Sequence, residues 1–442
     1  MKYIDEFRDG DLARQIGARI AAEAHPDRSY SFMEFCGGHT HAISRYGVLE
    51  LLPPNVRMIH GPGCPVCVLP IGRIDLAIRL ALGVGRTLGV ESENRPQRGQ
   101  FSPGLQANST AIGQKDGEKW TAAVDLQPTL PNSDRLLQRG AIVCTYGDTM
   151  RVPASDSLSL IKAKARGGDI RMVYSAADAM AIARANPQRE VVFFAIGFET
   201  TTPPTALAIR DAAREGLANF SVLCCHVLTP SAITHILESP EVRQLGTVPI
   251  DGFIGPAHVS IVIGSAPYDH FAEEYRKPVV IAGFEPLDVM QAILMLVRQV
   301  NEGRAHVENE FTRAVTPEGN LKAQALVSEV FELRPSFEWR GLGEVPYSAL
   351  KIREAFAAFD AERRFDLAYQ SVPDNKACEC GAILRGVKKP TDCKIFGTVC
   401  TPENPVGSCM VSSEGACAAH YTYGRFRDIP IVVTSAIEEA TP

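Results

Sequence analysis

Several signals that identify common protein classes are missing from this chain of 442 residues. Residues 1–10 lack the basic and apolar segments of a secretory signal. The longest apolar run, Val191–Phe198, is far shorter than the roughly 20 residues of a membrane span. Lys and Arg total 45 against 51 Asp and Glu, a net charge of −6, which argues against a nucleic-acid or polybasic membrane surface. We therefore expect a cytoplasmic protein that binds neither nucleic acid nor membrane.

Nucleotide-binding motifs are missing as well. No Gly-Lys pair occurs, so there is no P-loop, and Gly83, Gly85 and Gly89 do not have the spacing of a GxGxxG fingerprint. A Cys-x3-Cys-x2-Cys triplet is also missing, which argues against the common radical SAM cluster. The sequence gives no indication of an ATP or dinucleotide site.

Cysteine, by contrast, is plentiful and unevenly distributed. Of 12 cysteines, six fall within the last 65 residues, namely Cys378, Cys380, Cys393, Cys400, Cys409 and Cys417. Because cytosolic thiols stay reduced, such a cluster indicates metal ligands or catalytic groups more often than disulfides. Cys144, Cys224 and Cys225 lie in strand-like apolar segments, and we expect them to be small core residues.

The remaining pattern is an alternation of apolar strands and helices. Strands are predicted at 30–35, 56–60, 141–145, 170–174, 191–196, 220–225, 252–254 and 279–282. This rhythm favours α/β architecture with parallel sheets covered on both faces, one sheet on either side of about residue 150. We predict two Rossmann-like parallel-sheet domains at 1–150 and 151–265, then a mixed region at 266–442 that ends in a loop-rich segment. Residues 91–135 break the rhythm and look like an inserted loop or a small subdomain.

The pair Cys64-Pro65-Val66-Cys67 follows a predicted strand and precedes a helical pattern. A thiolate at a helix N-terminus has a lowered pKa and is reactive, and the two-residue spacing permits a disulfide or a shared metal. Gly61 and Gly63 permit the tight turn that presents both thiols. The alternative is that the pair is simply two buried thiols at a turn.

A second motif, Cys36-Gly37-Gly38-His39-Thr40-His41, also follows a strand. A thiolate and an imidazole three residues apart can bind one transition metal, or act as a nucleophile with its base. His41 alone fits a surface or capping histidine. Because ligands bind at the carboxyl ends of parallel strands, we expect the two cysteine loops to face one cleft.

Two weaker motifs stand at further strand ends. In Gly197–Pro203, Thr202 suits a helix N-cap and Pro203 a first helical turn, which leaves Glu199 as the residue that capping does not explain. In Pro256–Ser260 the candidate functional residue is His258.

The C-terminal cysteines are the most informative pattern. Cys378, Cys393, Cys400 and Cys417 are separated by uneven intervals on a loop-rich segment, with Cys380 and Cys409 as additional thiols. Four thiolates can hold an iron–sulfur cluster or a zinc ion. Structural zinc sites usually have closely paired cysteines, so the long intervals favour a cluster.

Together these motifs resemble the HypD family of [NiFe]-hydrogenase maturation factors. The matching stretches are 35–41, 61–67, 197–203, 256–260 and the tail 378–420, in order and spacing. The likeness covers nearly the whole chain except residues 88–137, which look like an insertion relative to the usual family pattern. The resemblance implies α/β domains, a [4Fe-4S] cluster, and a scaffold formed with a small HypC-type chaperone on which the Fe(CN)₂CO unit is assembled. It also implies that cyanide comes from a HypE-type partner, supplied by a HypF-type protein.

Carried onto this sequence, the resemblance implies a role for each motif. Cys36 would bind iron together with a partner's cysteine, supported by His39, and Cys64 with Cys67 would be a redox pair. Cys378, Cys393, Cys400 and Cys417 would hold the cluster. We expect a redox-active assembly scaffold, monomeric apart from transient partners, in which the cluster and the thiol pair supply reducing equivalents, much as in ferredoxin:thioredoxin reductases.

Two other hypotheses remain at this point. One is a stand-alone iron–sulfur thiol–disulfide oxidoreductase, and the other is a structural zinc protein. Cys380 or Cys409 could replace one of the four expected cluster ligands. Glu199 and His258 either touch substrate or only shape the cleft.

Overall fold

The structure, a computed structural model, describes residues 5–83, 140–238 and 250–424. Its strands are β1 (Tyr30–Glu34), β2 (Val56–His60), β3 (Ile142–Thr145), β4 (Ile170–Met172), β5 (Val191–Gly197), β6 (Phe220–His226), β7 (Gly252–Gly255), β8 (Val279–Ile281), β9 (Val307–Asn309), β10 (Phe331–Trp339) and β11 (Gly343–Ile352). Its longer helices are Gly10–Glu23, Gly37–Tyr46, Ile71–Leu82, Ala176–Ala185, Thr202–Glu215, Thr229–Glu238, Pro286–Asn301 and Leu321–Val330. Shorter helices are Leu160–Ala165, Ala257–Ile263, Asp269–Glu273, Ala361–Arg364, Cys380–Leu384 and Ala416–Ala419.

Two parallel sheets organise the fold. The first has the order β2-β1-β7-β8-β9 and the second the order β4-β3-β5-β6. Every residue of β5 and of β6 is buried, as expected for strands covered on both faces. The predicted α/β class with parallel sheets is therefore confirmed.

The predicted division of the sheets at residue 150 is wrong. β3, which precedes that residue, pairs in the second sheet, while β7, β8 and β9 return to the first. The second sheet is thus built by an excursion of the chain between β2 and β7, and the boundaries predicted at 150 and 265 do not follow the sheets. A buried parallel strand has the same apolar pattern in either sheet, so periodicity could not assign it.

An antiparallel hairpin of β10 and β11 joins the second sheet. Bridges from Val222 to Asp360 and from Val227 to Ala349 attach this region along β6. Trp339 is fully buried and its indole N–H donates to the Ser348 hydroxyl at 2.8 Å. The sequence pattern of this stretch was mixed and did not predict the hairpin.

The loop-rich segment that carries the C-terminal cysteines packs into the same hydrophobic core as the first sheet. Cys409 and Met410 are buried beside Cys64 and Cys67 in that core. Cys144, Cys224 and Cys225 are also buried, as predicted. The segment predicted as an insertion, 88–137, lies outside the described residues. Among the described helices, none is both long and apolar enough to cross a membrane.

Candidate metal and redox site

Cys36 stands at the carboxyl end of β1, where it is the N-cap of the Gly37–Tyr46 helix. Its peptide N–H donates to Glu34 Oε2 at 2.9 Å, and its side chain is partly exposed. Desolvation, together with the nearby carboxylates Glu414 and Glu34, raises the pKa of the Cys36 thiol, although the N–H groups of Gly38 and His39 oppose this. Without a bound cation this thiol stays protonated.

His39 is fully buried in the first turn of the same helix. Its Nε2 lies 3.1 Å from the carbonyl oxygen of Ala282 and 3.0 Å from that of Gly283. Because carbonyls only accept, Nε2 carries the proton, and Nδ1 is left buried with a lone pair and no hydrogen-bond partner. Burial lowers the pKa of His39, which favours this neutral state.

The Cys64 and Cys67 sulfurs are 2.6 Å apart, and both residues are buried. The following helix begins only at Ile71, so neither thiol lies at its N-terminus. Burial, with the nearby thiols of Cys409 and Cys64, raises the pKa of Cys67. The predicted lowering of the pKa by a helix N-terminus is therefore wrong for Cys67, although the close pairing of the two thiols is present.

The two cysteine loops touch each other. The N–H of Gly37 donates to the carbonyl of Gly63 at 2.9 Å. A side chain at Gly63 would overlap the peptide nitrogen of Cys36, so this close approach requires glycine. The structure therefore brings Cys36 and the Cys64–Cys67 pair to one end of the first sheet.

The cysteine tail, residues 378–417, covers both loops. The Ser408 hydroxyl donates to the Cys67 carbonyl at 2.6 Å. A Cβ at Gly415 would lie 2.9 Å from the Cys67 sulfur, and one at Gly37 would overlap the side chain of Glu414. All three thiol-bearing segments thus meet at one place, which we call the thiol site.

Within the tail, Cys380 is the thiol with most sulfur neighbours. It hydrogen-bonds with Cys378, Cys409 and Cys417, and Cys409 in turn hydrogen-bonds with Cys67. Donation from Cys380 and Cys67 lowers the pKa of Cys409 to about 6. Cys378 and Cys417 instead donate to Cys380, which raises the pKa of both thiols. Cys380 and Cys409, which had no assigned role, are thus the link between the tail and the Cys64–Cys67 pair.

The other two expected ligands have different neighbours. Cys400 Sγ accepts the N–H of Val406 at 3.4 Å, and Cys393 Sγ lies 3.9 Å from the carbonyl of Ala377. In the described ranges, no three or more His, Cys, Asp or Glu side chains are grouped as a metal site. Six thiols on one loop-rich segment nevertheless fit an iron–sulfur cluster by donor chemistry, and Gly407 leaves room beside Cys378 and Cys380 that a Cβ would fill.

Glu199 and His258, the candidates from the two weaker motifs, differ in surroundings. Glu199 is buried and accepts the N–H of Thr229 at 2.8 Å and its hydroxyl at 3.1 Å, so it holds the start of the Thr229–Glu238 helix. Burial raises the pKa of Glu199 to about 7. His258 is exposed, and its ring packs edge-on against Phe284 at 4.3 Å.

Three residues of this region were missed by sequence reasoning. Phe284 packs against both His39 and His258, and it fills the space beside Gly38. Glu34 and Glu414 flank Cys36. The only sequence signal was for Glu34, a carboxylate at the end of an otherwise apolar strand.

A separate cleft of about 640 Å³ lies beside the tail. Its walls are formed by residues 153–159, 372–373 and 403–406, with Ile71, Arg151, Ile161, Lys162, Arg340 and Asn375. No cysteine lines it, so the thiol site and this cleft are distinct.

The fold and the thiol site define a class of α/β protein in which two parallel sheets and a cysteine-rich tail bring three groups of thiols together. A sequence model of the family HypD, described as the hydrogenase formation hypA family, matches residues 11–89 and 132–424. The chain belongs to this family of hydrogenase maturation factors. The interruption of the match falls inside the segment predicted as an insertion.

Curated relatives agree over nearly the full length. The chain is 71% identical to "Hydrogenase maturation factor HypD" of Cupriavidus necator, over 98% of this chain and 100% of the relative. It is 62% identical to a protein of the same name from Rhizobium leguminosarum, over 97% of each chain. The Escherichia coli protein of that name is 39% identical, over 96% of this chain and 98% of its own. The family resemblance predicted from the motifs is therefore confirmed.

Proposed function

We propose that this maturation factor and a small HypC-type chaperone form the scaffold on which the Fe(CN)₂CO unit of [NiFe]-hydrogenase is assembled. The observation that carries this proposal is the meeting of a partly exposed thiol, a close thiol pair and a cysteine tail at one end of a sheet. Low-spin iron prefers soft thiolate ligands, and the pair adjoining it can supply electrons.

The iron to be modified is a substrate, and Cys36 is its proposed ligand. The thiol is partly exposed, so a second thiolate from the partner can reach the same iron. His39 offers an unprotonated Nδ1, since its Nε2 is engaged by two carbonyls. The carboxylates of Glu34 and Glu414 add negative charge that favours a cation at Cys36.

The proposed resident cofactor is a [4Fe-4S] cluster held by Cys378, Cys393, Cys400 and Cys417. When bound, such a cluster supplies single electrons. The residues of this chain connect that region to the iron site, because Cys380 and Cys409 link the tail to Cys67. We propose that Cys64 and Cys67 act as a reduced thiol pair, in which the neighbouring Cys409 thiolate can accept the proton of Cys67.

The remaining partners follow the same proposal. Cyanide would come from a HypE-type protein, with a HypF-type protein upstream, and both would approach from the side on which Cys36 is exposed. His258 is exposed and packs against Phe284, which also packs against His39, and we propose that it meets a partner or substrate. Glu199 is engaged with Thr229, and we propose that it shapes the cleft instead of touching substrate.

The decisive experiment replaces the proposed iron ligand. Cys36→Ala should abolish the infrared bands of iron-bound cyanide in the complex purified with a HypC-type protein, because the proposed iron ligand is removed. The matched control is Cys144→Ala, which changes a core thiol of the second sheet and should keep the bands. Bands that persist in Cys36→Ala would rule out this iron site.

A stand-alone thiol–disulfide oxidoreductase is the second candidate, and the short Cys64–Cys67 distance favours it. Such an enzyme would turn over a disulfide substrate without a HypC-type or HypE-type partner. A pull-down with a HypC-type protein separates the two functions, since only the scaffold should retain it. An optical spectrum and metal analysis after anaerobic purification would identify the zinc alternative, which is colourless.

A further inference from the structure

Glu34 is a fully buried carboxylate directly behind Cys36. Its Oε2 accepts the peptide N–H of Cys36 at 2.9 Å. Its Oε1 accepts the hydroxyl of Thr40 and lies 2.9 Å from Nδ1 of His60. The three donors come from the Cys36 loop, the Gly37–Tyr46 helix and strand β2, so one side chain joins three segments of the thiol site.

The surroundings of Glu34 show that these hydrogen bonds are its main compensation for burial. Burying a carboxylate costs free energy unless it is paired or fully hydrogen-bonded. In the described ranges its only ion-pair partner is His60, with no lysine or arginine. Such an acceptor holds its donors firmly, because loss of a donor would leave a buried carboxylate oxygen without a hydrogen bond.

The hydrogen bond between Glu34 and His60 connects the ends of strands β1 and β2. Glu34 and His60 are directly paired in the register of β1 and β2, and each is followed at once by a cysteine loop. The loop after Glu34 contains Gly37 and Gly38, which have no side chains to fix it. Cys36 itself makes no side-chain capping bond to its helix. The Glu34 carboxylate therefore adds a side-chain anchor to the backbone hydrogen bond from Gly37 to Gly63.

We propose that Glu34 is a positioning residue for the Cys36 thiol. It fixes the Cys36 peptide through one oxygen and ties that peptide to the helix and to β2 through the other. The proposal rests on the proposed function only in that Cys36 is the iron ligand. Glu34 contacts neither iron nor substrate in this role.

The test compares two substitutions at Glu34 in the full-length protein. Glu34→Gln keeps an oxygen for the Cys36 N–H, and its amide can donate to Thr40 and His60, both of which can accept. Glu34→Leu removes the acceptor. The matched control is Glu190→Leu, which removes a carboxylate bonded to Arg364 at the start of the second sheet, away from the thiol site.

Two readouts need no iron and no partner. Amide hydrogen exchange at Cys36 reports the hydrogen bond, and alkylation of Cys36 by iodoacetamide, read by peptide mass spectrometry, reports the thiol's position. In Glu34→Leu we expect exchange roughly tenfold faster, as for loss of one bond to a charged acceptor, together with a clearly altered alkylation rate. Glu34→Gln and Glu190→Leu should stay within about twofold of wild type, since the Cys36 N–H keeps its acceptor in both.

The outcomes separate this proposal from the proposed function. Wild-type exchange and alkylation in Glu34→Leu would overturn it, and so would a Glu34→Gln variant as altered as Glu34→Leu, because charge and not the hydrogen bond would then matter. If Glu34→Leu fails to fold, Thr40→Val must accelerate Cys36 exchange, and an unchanged rate overturns the proposal. Cyanide bands that survive Cys36→Ala would contradict the iron site alone and leave these readouts valid.

Discussion

Neighbouring thiols give Cys409 an ionisation that burial alone would not. Burial raises the pKa of Cys144 and of Cys224 to about 12. Cys409 is equally buried, yet donation from Cys380 and Cys67 lowers its pKa to about 6. Near neutral pH it is a thiolate held between the tail and the Cys64–Cys67 pair, so it can accept a proton from a neighbouring thiol.

This difference predicts which cysteines a cluster depends on. Cys393→Ala should lose the brown absorbance of the anaerobically purified protein, because an expected ligand is removed. Cys409→Ala should keep the colour, since Cys409 is engaged with Cys67 and is outside the four expected ligands. Optical spectra with iron and sulfide analysis measure both variants. A bleached Cys409→Ala protein would mean that the four ligands were wrongly chosen.

The placement of single residues was predictable where a motif follows a strand and not where packing decides. The meeting of the Cys36 and Cys64–Cys67 loops at one end of a sheet was predicted from their positions directly after strands. The proton position on His39 depends on the carbonyls of Ala282 and Gly283, far away in sequence. No local pattern of residues 36–41 contains that information.

Among the elements, the Thr229–Glu238 helix is anchored at its first residue by Glu199, which belongs to a motif picked out from the sequence. Thr229 is held by both oxygens of Glu199 at the end of β5. Burial favours the protonated carboxyl and raises its pKa from 4.5 to about 7. The anchoring of this helix therefore depends on pH near neutrality.

The sign of that dependence can be measured. Between about pH 4.5 and pH 7 the folded protein keeps the Glu199 proton that the unfolded chain has lost, so the free energy of unfolding falls as pH rises. At about 1.4 kcal/mol per pKa unit, the total is about 3 kcal/mol. Glu199→Gln, which can accept and donate to Thr229 without a charge, should remove this contribution. Denaturant unfolding across that pH range tests it, and equal slopes in both proteins would contradict the assignment.

Element prediction succeeded for strands with continuous apolar runs. β2 was predicted with its observed bounds, and β5 and β6 within one residue. The β10–β11 hairpin failed because its residues alternate between buried and exposed and include Pro335 and Pro346, which obscure a strand pattern. Its stability depends on docking along β6, a contact that sequence periodicity does not encode.

On the scale of the whole molecule, the thiol site exists only because the tail docks on the first sheet. Gly415 is one of the close approaches, since a Cβ there would lie 2.9 Å from the Cys67 sulfur and would overlap the carbonyl of Cys409 within the tail. Ser408 adds a hydrogen bond to the same residue of the pair. Docking of the tail therefore depends on glycine at position 415 and on the hydrogen bond donated by the Ser408 hydroxyl.

Gly415→Ala should push the tail away from Cys67 and expose that thiol. We expect alkylation of Cys67, which is fully buried in the wild type, to become at least several-fold faster, with little change in the far-ultraviolet circular dichroism. Gly10→Ala is the control, because a methyl group there makes only an ordinary contact with Arg14. Unchanged Cys67 protection in Gly415→Ala would show that the tail tolerates the extra methyl group.

The number of parallel sheets could be predicted from sequence, but not which strands belong to each. Strand–helix alternation indicates parallel sheets whichever strands pair. The pairing of β7 with β1, which extends the first sheet, joins two strands that are far apart in sequence. The meeting of Cys36 with Glu414, nearly 380 residues apart in number, follows from that pairing and is invisible in any local motif.

The discontinuous first sheet also has a consequence for biosynthesis. A chain leaving the ribosome can complete β3 to β6 as a neighbouring set and can pair β1 with β2, but the second edge of β1 must wait for β7. The tail that covers Cys67 is made later still. Because translation proceeds at a limited rate, Cys36, Cys64 and Cys67 spend a long interval synthesised but uncovered. The thiols most exposed to premature oxidation or stray metal during synthesis are therefore those that the finished protein encloses last.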